Sequence, residues 1–330
     1  MKIIVLMGGV SSEREVSLAS GKEISKGLRT RGHEIVEVDL KDALDVSASA
    51  ERSGPNNGLA DFVSNPDVAS AEVVFIAMHG GAGEDGTVQA LLDVMGKPYT
   101  GSGMLSSALC LDKIQSKRLF ERAGIPTPAW RAVGRERVEG VTEAIAALGG
   151  FPVVTKPRNQ GSTIGVSIVL EKEQVALAVA EALKYSEDIL VEKYIEGREM
   201  TVAVLGERPL PVIEIAPETG FYDYERKYTK GKSEYIVPAQ MPEGLSKEIQ
   251  AIAINAYRLL GCEDFGRVDF RLSHGGEPYC LEVNTIPGMT GTSLVPMGAR
   301  AVGIEFPELL EEICRLALCR RRSAEEANAT

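Results

Sequence analysis

The sequence has few of the features that mark nucleic-acid-binding, membrane or secreted proteins. It holds one tryptophan and 5% aromatic residues, too few for the stacking platforms that bind single-stranded nucleic acid. Acidic residues outnumber basic ones, 47 to 36, and the formal charge of −11 disfavours nucleic acid or an anionic membrane as a partner. No apolar run is long enough for a membrane span, and the N-terminal run is too short for a signal peptide. We therefore expect a cytoplasmic protein.

The sequence also lacks cysteine pairs with metal-binding spacing and the two most common nucleotide-binding motifs. Its five cysteines show no CxxC spacing, which favours small buried residues in a reducing compartment. No GxxxxGK[ST] loop occurs, and GSGMLS (residues 101–106) lacks the third glycine of a dinucleotide fingerprint. A nucleotide, if one binds, must therefore bind to a different fold.

Strand and helix patterns predict an α/β protein built from three units. In residues 1–100, the order strand, glycine turn, helix, strand predicts a parallel sheet, and its loops after Gly8 and His79 would face one cleft. Residues 101–187 are predicted to form a central unit that opens with one helix ended by Gly124. Residues 188–330 are predicted to form a third unit containing a hairpin.

That hairpin, GRVDFRLSHGGEPYCLEVN (residues 266–284), is predicted to have one apolar face. At the two-residue period of a strand, this face carries Val268, Phe270, Leu272, Leu281 and Val283. The pair Gly275-Gly276 favours a tight two-residue turn, which would place His274 opposite Glu277. The turn thereby fixes the register of both strands.

The other face of the hairpin carries charge. In the predicted register, Asp269 lies opposite Glu282 and Arg267 lies opposite Asn284. Opposed carboxylates, roughly 5 Å apart at Cβ, repel each other unless a proton or a cation lies between them. Two carboxylates and an amide oxygen suit Mg²⁺, which takes its remaining ligands from water and substrate phosphate. A solvated surface hairpin is the alternative for this stretch alone.

A second stretch, TKPRNQGSTIGVS (residues 155–167), predicts a phosphate-binding loop. Lys156 closes an apolar strand, and a loop with two glycines, Ser162 and Thr163 follows it. Backbone N–H groups and hydroxyls beside a lysine can surround phosphate oxygens. An ordinary glycine-serine hairpin with a solvated lysine is the alternative for this loop alone.

Taken together, the motifs resemble the D-alanine–D-alanine ligases of the ATP-grasp superfamily. From Met1 to about Leu316, eight stretches occur in that family's order: GGVSSEREVSL, MHGGAGEDGTVQ, PYTGSG, DKIQSK, TKPRNQGSTIGVS, YDYERKYTKGKSEY, GRVDF and LEVNTIPGMTGTSLVPM. The resemblance implies an α/β (α+β) protein in which an ATP-grasp fold follows an N-terminal parallel-sheet domain. It implies a substrate-binding domain at 1–100, a small ATP-grasp domain at 101–187, and a domain with the metal and substrate site at 188–330.

The resemblance further implies an activity and the ligands that serve it. Two D-alanines would be joined with ATP, through an acyl-phosphate, for peptidoglycan synthesis, and a homodimer is expected. Two Mg²⁺ ions, for which Mn²⁺ could substitute, would be bound by Asp269, Glu282 and Asn284. The residues implied for ATP are Lys113, Lys156 and Lys227 at the phosphates, Glu192 at the adenine and Glu199 at the ribose.

Roles on the amino-acid side are implied in the same way. Glu13 would hold the ammonium group of the first D-alanine, with His79 beside it. Ser162 and Tyr228 would join Glu13 in a hydrogen-bonded set under a lid formed by residues 217–235. Arg267 would stabilise the acyl-phosphate and the tetrahedral intermediate. The pocket for the second D-alanine would consist of Gly288, Ser293 and Leu294, with Ser293 also among the catalytic residues.

Three alternatives stay open. A D-alanine–D-lactate ligase shares the fold and the first half-reaction, although KYTKGKSEY keeps the tyrosine, Tyr228, of the dipeptide-forming type. Another ATP-grasp carboxylate–amine ligase, such as a glutathione synthetase, is disfavoured by the stretches EREVS and GMTGTSLVP. A catalytically silent nucleotide-binding protein is expected to lack a metal ligand or a phosphate lysine, and the sequence has all of them.

Overall fold

The computed structural model describes residues 1–40, 62–217 and 233–328, which form three β-sheets with helices packed on them. The predicted lid lies almost wholly outside the described residues, and so do Lys227 and Tyr228. In the described ranges, the helices are all too short or too polar to cross a membrane.

The N-terminal unit contains a parallel sheet, as predicted. Its elements are β1 (Lys2–Met7), α1 (Arg14–Thr30), β2 (Glu34–Asp39), α2 (Pro66–Ser70), β3 (Val73–Ile76) and α3 (Thr87–Val94). The strand order is β2-β1-β3, and both outer strands run parallel to β1. β1 and β3 are apolar and almost completely buried, as strands covered on both faces must be.

Two helices follow where the sequence predicts one. α4 (Met104–Leu111) and α5 (Lys113–Ala123) are separated at Asp112. Its carboxylate accepts hydrogen bonds from the backbone N–H groups of Ile114 and Gln115 at 3.1 Å and so begins α5. Gly124, in the left-handed conformation, ends α5 as predicted.

The central sheet is antiparallel. It consists of β4 (Trp130–Gly134), β5 (Val153–Pro157), β6 (Ser167–Val169) and β7 (Asp188–Lys193), covered by α6 (Val141–Ala147) and α7 (Val175–Ala182). The order is β4-β7-β5-β6, so β7, which begins at the boundary predicted at residue 188, is the second strand of this sheet. Periodicity identified β7 as a strand, but a strand's own pattern does not reveal its partners.

The third sheet is the largest. Its strands are β8 (Gly197–Leu205), β9 (Arg208–Pro209), β10 (Ile213–Pro217), β11 (Ser233–Ile236), β12 (Phe265–Ser273) and β13 (Pro278–Asn284). They pair in the order β11-β10-β8-β12-β13, with β9 on β8. In this part of the chain, α8 (Glu243–Leu259) lies between β11 and β12, and α9 (Leu294–Arg300) and α10 (Phe306–Asn328) follow β13. Cys110 of α4 and Phe120 of α5 join this sheet's core. Ile114 of α5 packs on Trp130 and Leu190 of the central sheet, so α5 lies between the two sheets.

The hairpin of β12 and β13 reaches its predicted register by a different route. The predicted two-residue turn is wrong: Ser273, not His274, pairs with Glu277, because Ser273 N donates to Glu277 O at 2.9 Å. The loop therefore holds one residue more, and Gly276 takes a φ of +85° in it. A β-bulge then inserts Leu281 into β13 and cancels this shift.

The bulge decides which side chains reach the charged face. Beyond it, Asp269 lies opposite Glu282 and Arg267 opposite Asn284, as predicted. Leu281, expected in the core, instead lines a cleft, and Cys280 fills the core position. Two adjacent residues of a bulged strand can share a face, which simple alternation does not anticipate.

Asp264 joins the N-terminal unit to the large sheet. It has a positive φ of 60°, and its Oδ2 accepts a hydrogen bond from Gly101 N at 2.9 Å and lies 3.5 Å from Arg320 Nη1. Arg320 also donates to the carbonyl oxygens of Tyr99 and Gly101. Burial raises the pKa of Asp264 to about 7, although Arg320 and the Gly101 N–H act in the opposite direction.

The raised pKa of Asp264 predicts a pH dependence of stability. The folded-state pKa of about 7 exceeds the unfolded value of about 3.9, so the contribution to stability is complete below pH 3.9 and is lost as pH rises through 7. Asparagine tolerates the positive φ and carries no charge. Between about pH 4.5 and pH 7.5, we expect urea unfolding to show a smaller loss of stability for Asp264→Asn than for the wild type. Parallel pH profiles would contradict this.

Gly197 allows the close approach of β8 to β12. Its φ is +141°, and a Cβ there would lie 1.9 Å from the carbonyl oxygen of Leu272. Since backbone must move to relieve that overlap, we expect Gly197→Ala to cost about 3 kcal/mol and to lower Tm by several degrees in a thermal shift assay. Gly244, which has nothing near its Cβ position within the first turn of α8, is the matched control. Equal Tm values for the two variants would refute the assignment.

Candidate active site

One cleft of about 390 Å³ opens where the three units meet. It brings together most of the predicted site residues, which come from loops after β1 and β3, from the central sheet and its glycine loop, and from β8, β12 and β13. Those lining it are Glu13, His79, Lys113, Lys156, Ser162, Glu192, Glu199, Arg267, Asp269, Glu282, Asn284 and Gly288. Ser293 and Leu294 are not among the described residues that line it.

Asp269 is held in place by two donors. Arg267 binds it in a bidentate manner, with Nε and Nη2 at 2.8 and 2.7 Å from the two carboxylate oxygens. Thr201, fully buried in β8, donates to Asp269 Oδ1 at 2.6 Å. Burial disfavours the charged form of Arg267, but Asp269 raises its pKa above the ordinary value. Sequence reasoning missed Thr201, because its position depends on the pairing of β8 with β12.

Glu282 is surrounded by cations. Lys113 Nζ lies 2.9 Å from Glu282 Oε2. Burial alone would raise the pKa of Glu282, but Lys113 and Lys156 lower it to about 2. The carboxylate is therefore ionised throughout the range in which enzymes work. Asn284 Oδ1 accepts a hydrogen bond from Ile286 N at 3.1 Å, which orients the amide.

Asp269, Glu282 and Asn284 together suit a hard cation. Their donors are carboxylate and amide oxygens, the ligand type that Mg²⁺ prefers. Among the described residues, no group of three or more His, Cys, Asp or Glu side chains is close enough to bind a metal alone. The protein can thus supply part of a coordination shell, and phosphate oxygens or water would have to complete it.

Glu192 is buried between two lysines. Lys156 Nζ lies 2.9 Å from one carboxylate oxygen and Lys117 Nζ lies 2.6 Å from the other. Burial opposes ionisation, yet the two lysines hold the pKa of Glu192 below its ordinary value. Sequence reasoning missed Lys117, although it stands four residues after Lys113 in DKIQSK, the spacing of neighbours on a helix.

The glycine loop is tied to both neighbouring units. Ser162 Oγ donates a short hydrogen bond to Glu13 Oε1, and Lys113 Nζ donates to the carbonyl oxygen of Gln160 at 2.7 Å. Ser162 and Thr163 have φ values of 48° and 61°, which residues other than glycine rarely adopt. Strain of this kind persists where surrounding contacts fix the backbone, and it is concentrated at functional sites.

His79 is part of the cleft wall. It is 4% exposed, its Nε2 lies 3.0 Å from Ser20 Oγ, and its Nδ1 lies 3.0 Å from the carbonyl oxygen of Ile286. The buried carboxylate of Glu84 lies 3.8 Å from His79 Nδ1 and also lines the cleft. The sequence pattern did not single this residue out. Both ring nitrogens are engaged, so the imidazole serves to shape the wall.

The remaining predicted site residues in the described ranges are Glu199, Gly288, Ser293 and Leu294. Glu199 is half-exposed, 3.7 Å from Arg271 Nη1. Ser293 precedes α9 and accepts a hydrogen bond from Thr290 N at 3.0 Å. It lies directly behind Gly288, because a Cβ added at residue 288 would approach Ser293 Oγ to 3.2 Å. Of the three residues predicted for the second substrate pocket, Gly288, Ser293 and Leu294, Gly288 is thus the one that lines the cleft.

Comparison with known proteins identifies the family of this chain. A family model described as the D-ala D-ala ligase N-terminus matches residues 2–102, and one described as the D-ala D-ala ligase C-terminus matches residues 119–315. The chain belongs to the D-alanine–D-alanine ligase family. Together, these matches cover both the parallel-sheet unit and the two sheets that enclose the cleft.

Individual members of this ligase family agree with the chain over almost their full length. A D-alanine–D-alanine ligase from Moorella thermoacetica is 47% identical, covering 96% of this chain and 99% of the relative. The solved D-alanine–D-alanine ligase from Bacillus anthracis complexed with ATP is 34% identical, with a TM-score of 0.82 and coverage of 98% and 99%. The solved VanG D-Ala:D-Ser ligase from Enterococcus faecalis is 32% identical, with a TM-score of 0.80 and coverage of 96% and 98%. The predicted fold class, an ATP-grasp fold after a parallel-sheet domain, is confirmed.

The burial of Glu192 predicts a large stability effect. Glu192→Gln leaves Lys117 and Lys156 without their shared carboxylate in a site that is almost fully buried, so we expect a loss of about 3 kcal/mol. Urea unfolding measures it. Glu312→Gln, which breaks the 2.6 Å surface bridge to Arg208, is the control and should have little effect. Similar losses for both variants would show that Glu192 has no special electrostatic role.

Proposed function

We propose that the protein joins two D-alanine molecules into D-alanyl-D-alanine, using ATP and passing through an acyl-phosphate. The observation that carries the proposal is the convergence of three groups in one cleft. These are the carboxylate pair Asp269 and Glu282, the lysines Lys113 and Lys156, and the contact between Glu13 and Ser162. Phosphoryl transfer needs positioned cations for the triphosphate and a positioned nucleophile, and this cleft has groups for both.

On the nucleotide side, lysines would bind the phosphates. Lys113 and Lys156 line the cleft, and Lys227, outside the described residues, would join them from the lid. Glu192 would anchor the adenine, and Glu199 the ribose. The relative whose title names a complex with ATP supports this half of the proposal.

Asp269, Glu282 and Asn284 would hold two Mg²⁺ ions, for which Mn²⁺ could substitute. Bound there, the metal would neutralise charge on the phosphates during transfer. The protein's own part is to orient both carboxylates. Arg267 and Thr201 hold Asp269, and Lys113 holds Glu282 and keeps it ionised.

The carboxylate of the first D-alanine would attack the γ-phosphorus of ATP, and ADP would leave. Glu13 would hold that substrate's ammonium group, with His79 in the wall beside it. The amine of the second D-alanine would then attack the acyl-phosphate carbonyl, and phosphate would leave. Arg267 would stabilise the oxyanion of the tetrahedral intermediate.

The second D-alanine would lie near Gly288, with Ser293 and Leu294 supporting its pocket. Because water would hydrolyse the acyl-phosphate, the lid from 217 to 235 would close over the site, and Tyr228 would join Glu13 and Ser162. The three predicted units, 1–100, 101–187 and 188–330, would act as substrate, nucleotide and metal domains, with β7 completing the central sheet and α5 reaching the core of the large sheet. We further propose a cytoplasmic homodimer whose product serves peptidoglycan synthesis.

The test is phosphate release from ATP and Mg²⁺ with D-alanine, L-alanine, or D-alanine plus D-lactate or D-serine, with products identified by mass spectrometry. We expect D-alanyl-D-alanine as the main product. Glu282→Gln should lose activity at least about 100-fold, since even outer-shell changes cost 10- to 100-fold. Glu277→Gln removes an exposed carboxylate from the same hairpin and should retain activity.

Depsipeptide as the main product at neutral pH would assign the protein to D-lactate, and D-alanyl-D-serine would assign it to D-serine. Turnover with L-alanine but not with D-alanine would show that the proposed D configuration of the substrate is wrong. An absence of any D-alanine-dependent phosphate release would show that the substrate is wrong. Equal activities of the two glutamate variants would show that the carboxylate pair is not the metal site.

A further inference from the structure

A buried chain of polar contacts connects the large sheet to the central sheet beside the cleft. Thr127, in the segment before β4, donates to the carbonyl oxygen of Cys280 in β13 at 2.8 Å. Lys117 Nζ donates to Thr127 Oγ1 at 2.6 Å and lies 2.6 Å from Glu192 Oε2 in β7. Glu192 Oε1 accepts from Lys156 in β5 at 2.9 Å. The chain thus begins in the strand of Glu282 and ends at a lysine that faces the cleft.

Lys117 is the central member of this chain, yet it is 1% exposed. It is absent from the described residues that line the cleft, whereas Glu192 and Lys156 both line it. Its contact with Glu192 is an ion pair with a separation of 2.6 Å. A charged lysine with no access to ligand or solvent costs free energy, so its contribution must come through the groups that it holds.

The charge balance indicates what Lys117 does for Lys156. One carboxylate, Glu192, is shared by two ammonium groups, so the cluster keeps one surplus positive charge. Without Lys117, Glu192 would neutralise Lys156 alone and would be free to rotate toward it. With Lys117 present, the carboxylate is fixed from behind, and the surplus charge faces the cleft where an anion would bind.

We propose that Lys117 is a positioning residue for the nucleotide side of the site, fixing Glu192 and leaving Lys156 available to an anionic ligand. The inference rests on the proposed function, since the anion is taken to be the triphosphate of ATP. Thr127 contributes to this positioning because it accepts a hydrogen bond from Lys117 and donates one to the backbone of β13.

The test uses the full chain and two ligands that report separately. Calorimetry measures the Kd for the non-hydrolysable ATP analogue with an imido β,γ-bridge, in the presence of Mg²⁺, and kinetics measure KM for ATP and for D-alanine. We expect Lys117→Met to raise the nucleotide Kd and the KM for ATP by about tenfold or more. The KM for D-alanine should change by less than about twofold, as expected if only nucleotide binding is affected. Lys184→Met, which removes an exposed lysine paired with Glu181, should leave all three constants unchanged.

A second pair of variants covers the case in which Lys117→Met does not fold. Thr127→Val removes the hydroxyl and should weaken nucleotide binding, whereas Thr127→Ser keeps it and should restore the wild-type constant. The single tryptophan, Trp130, is paired with Glu192 across the central sheet, so an unchanged emission maximum shows that the local fold is intact.

The inference is overturned if Lys117→Met binds the analogue like the wild type, or if the constants for ATP and D-alanine rise together. It is also overturned if the Thr127 valine and serine variants behave alike. Failure of the proposed substrate is a separate result: wild-type protein that binds the analogue but does not turn over D-alanine contradicts the function and leaves the Lys117 test readable.

Discussion

The site depends on two carboxylates that lie opposite each other, each held by a cationic side chain. Asp269 and Glu282 face one another on neighbouring strands, where their mutual repulsion requires compensation. Arg267 supplies it on one side and Lys113 on the other. The compensating cations come from β12 and from the start of α5, so the packing of α5 on the large sheet is a condition for keeping Glu282 ionised.

The need to compensate these two negative charges explains why the cleft lies between units and not within one. The large sheet carries Asp269 and Glu282, while Lys156 and the glycine loop come from the central sheet and Lys113 comes from the helix before it. Glu13 and His79 enter from the loops of the parallel sheet, at the carboxyl ends of its strands, where α/β sheets bind ligands. The contact of Ser162 with Glu13 therefore joins the glycine loop to the N-terminal unit, and the contact of Lys117 with Glu192 joins α5 to β7. Both contacts also shape the cleft.

Much of this could be predicted from the sequence, and the failures have definite causes. The parallel sheet and the opposed carboxylates followed from periodicity and from the glycine-rich turn. The carboxylate register was correct although the turn was not, because the added loop residue and the bulge at Leu281 cancel. Thr201, Lys117 and the placement of β7 could not be found, since each depends on which elements pair, and pairing is a property of the folded chain.

The most direct test of the central claim follows the oxygen atoms of the substrate. If the carboxylate of the first D-alanine attacks the γ-phosphorus, one of its oxygens must leave with the phosphate. With D-alanine labelled by ¹⁸O in its carboxylate, the account predicts one ¹⁸O atom in each inorganic phosphate released during dipeptide formation, seen as an isotope shift in ³¹P NMR. Unlabelled phosphate accompanying labelled dipeptide would contradict the acyl-phosphate and the role given to this cleft.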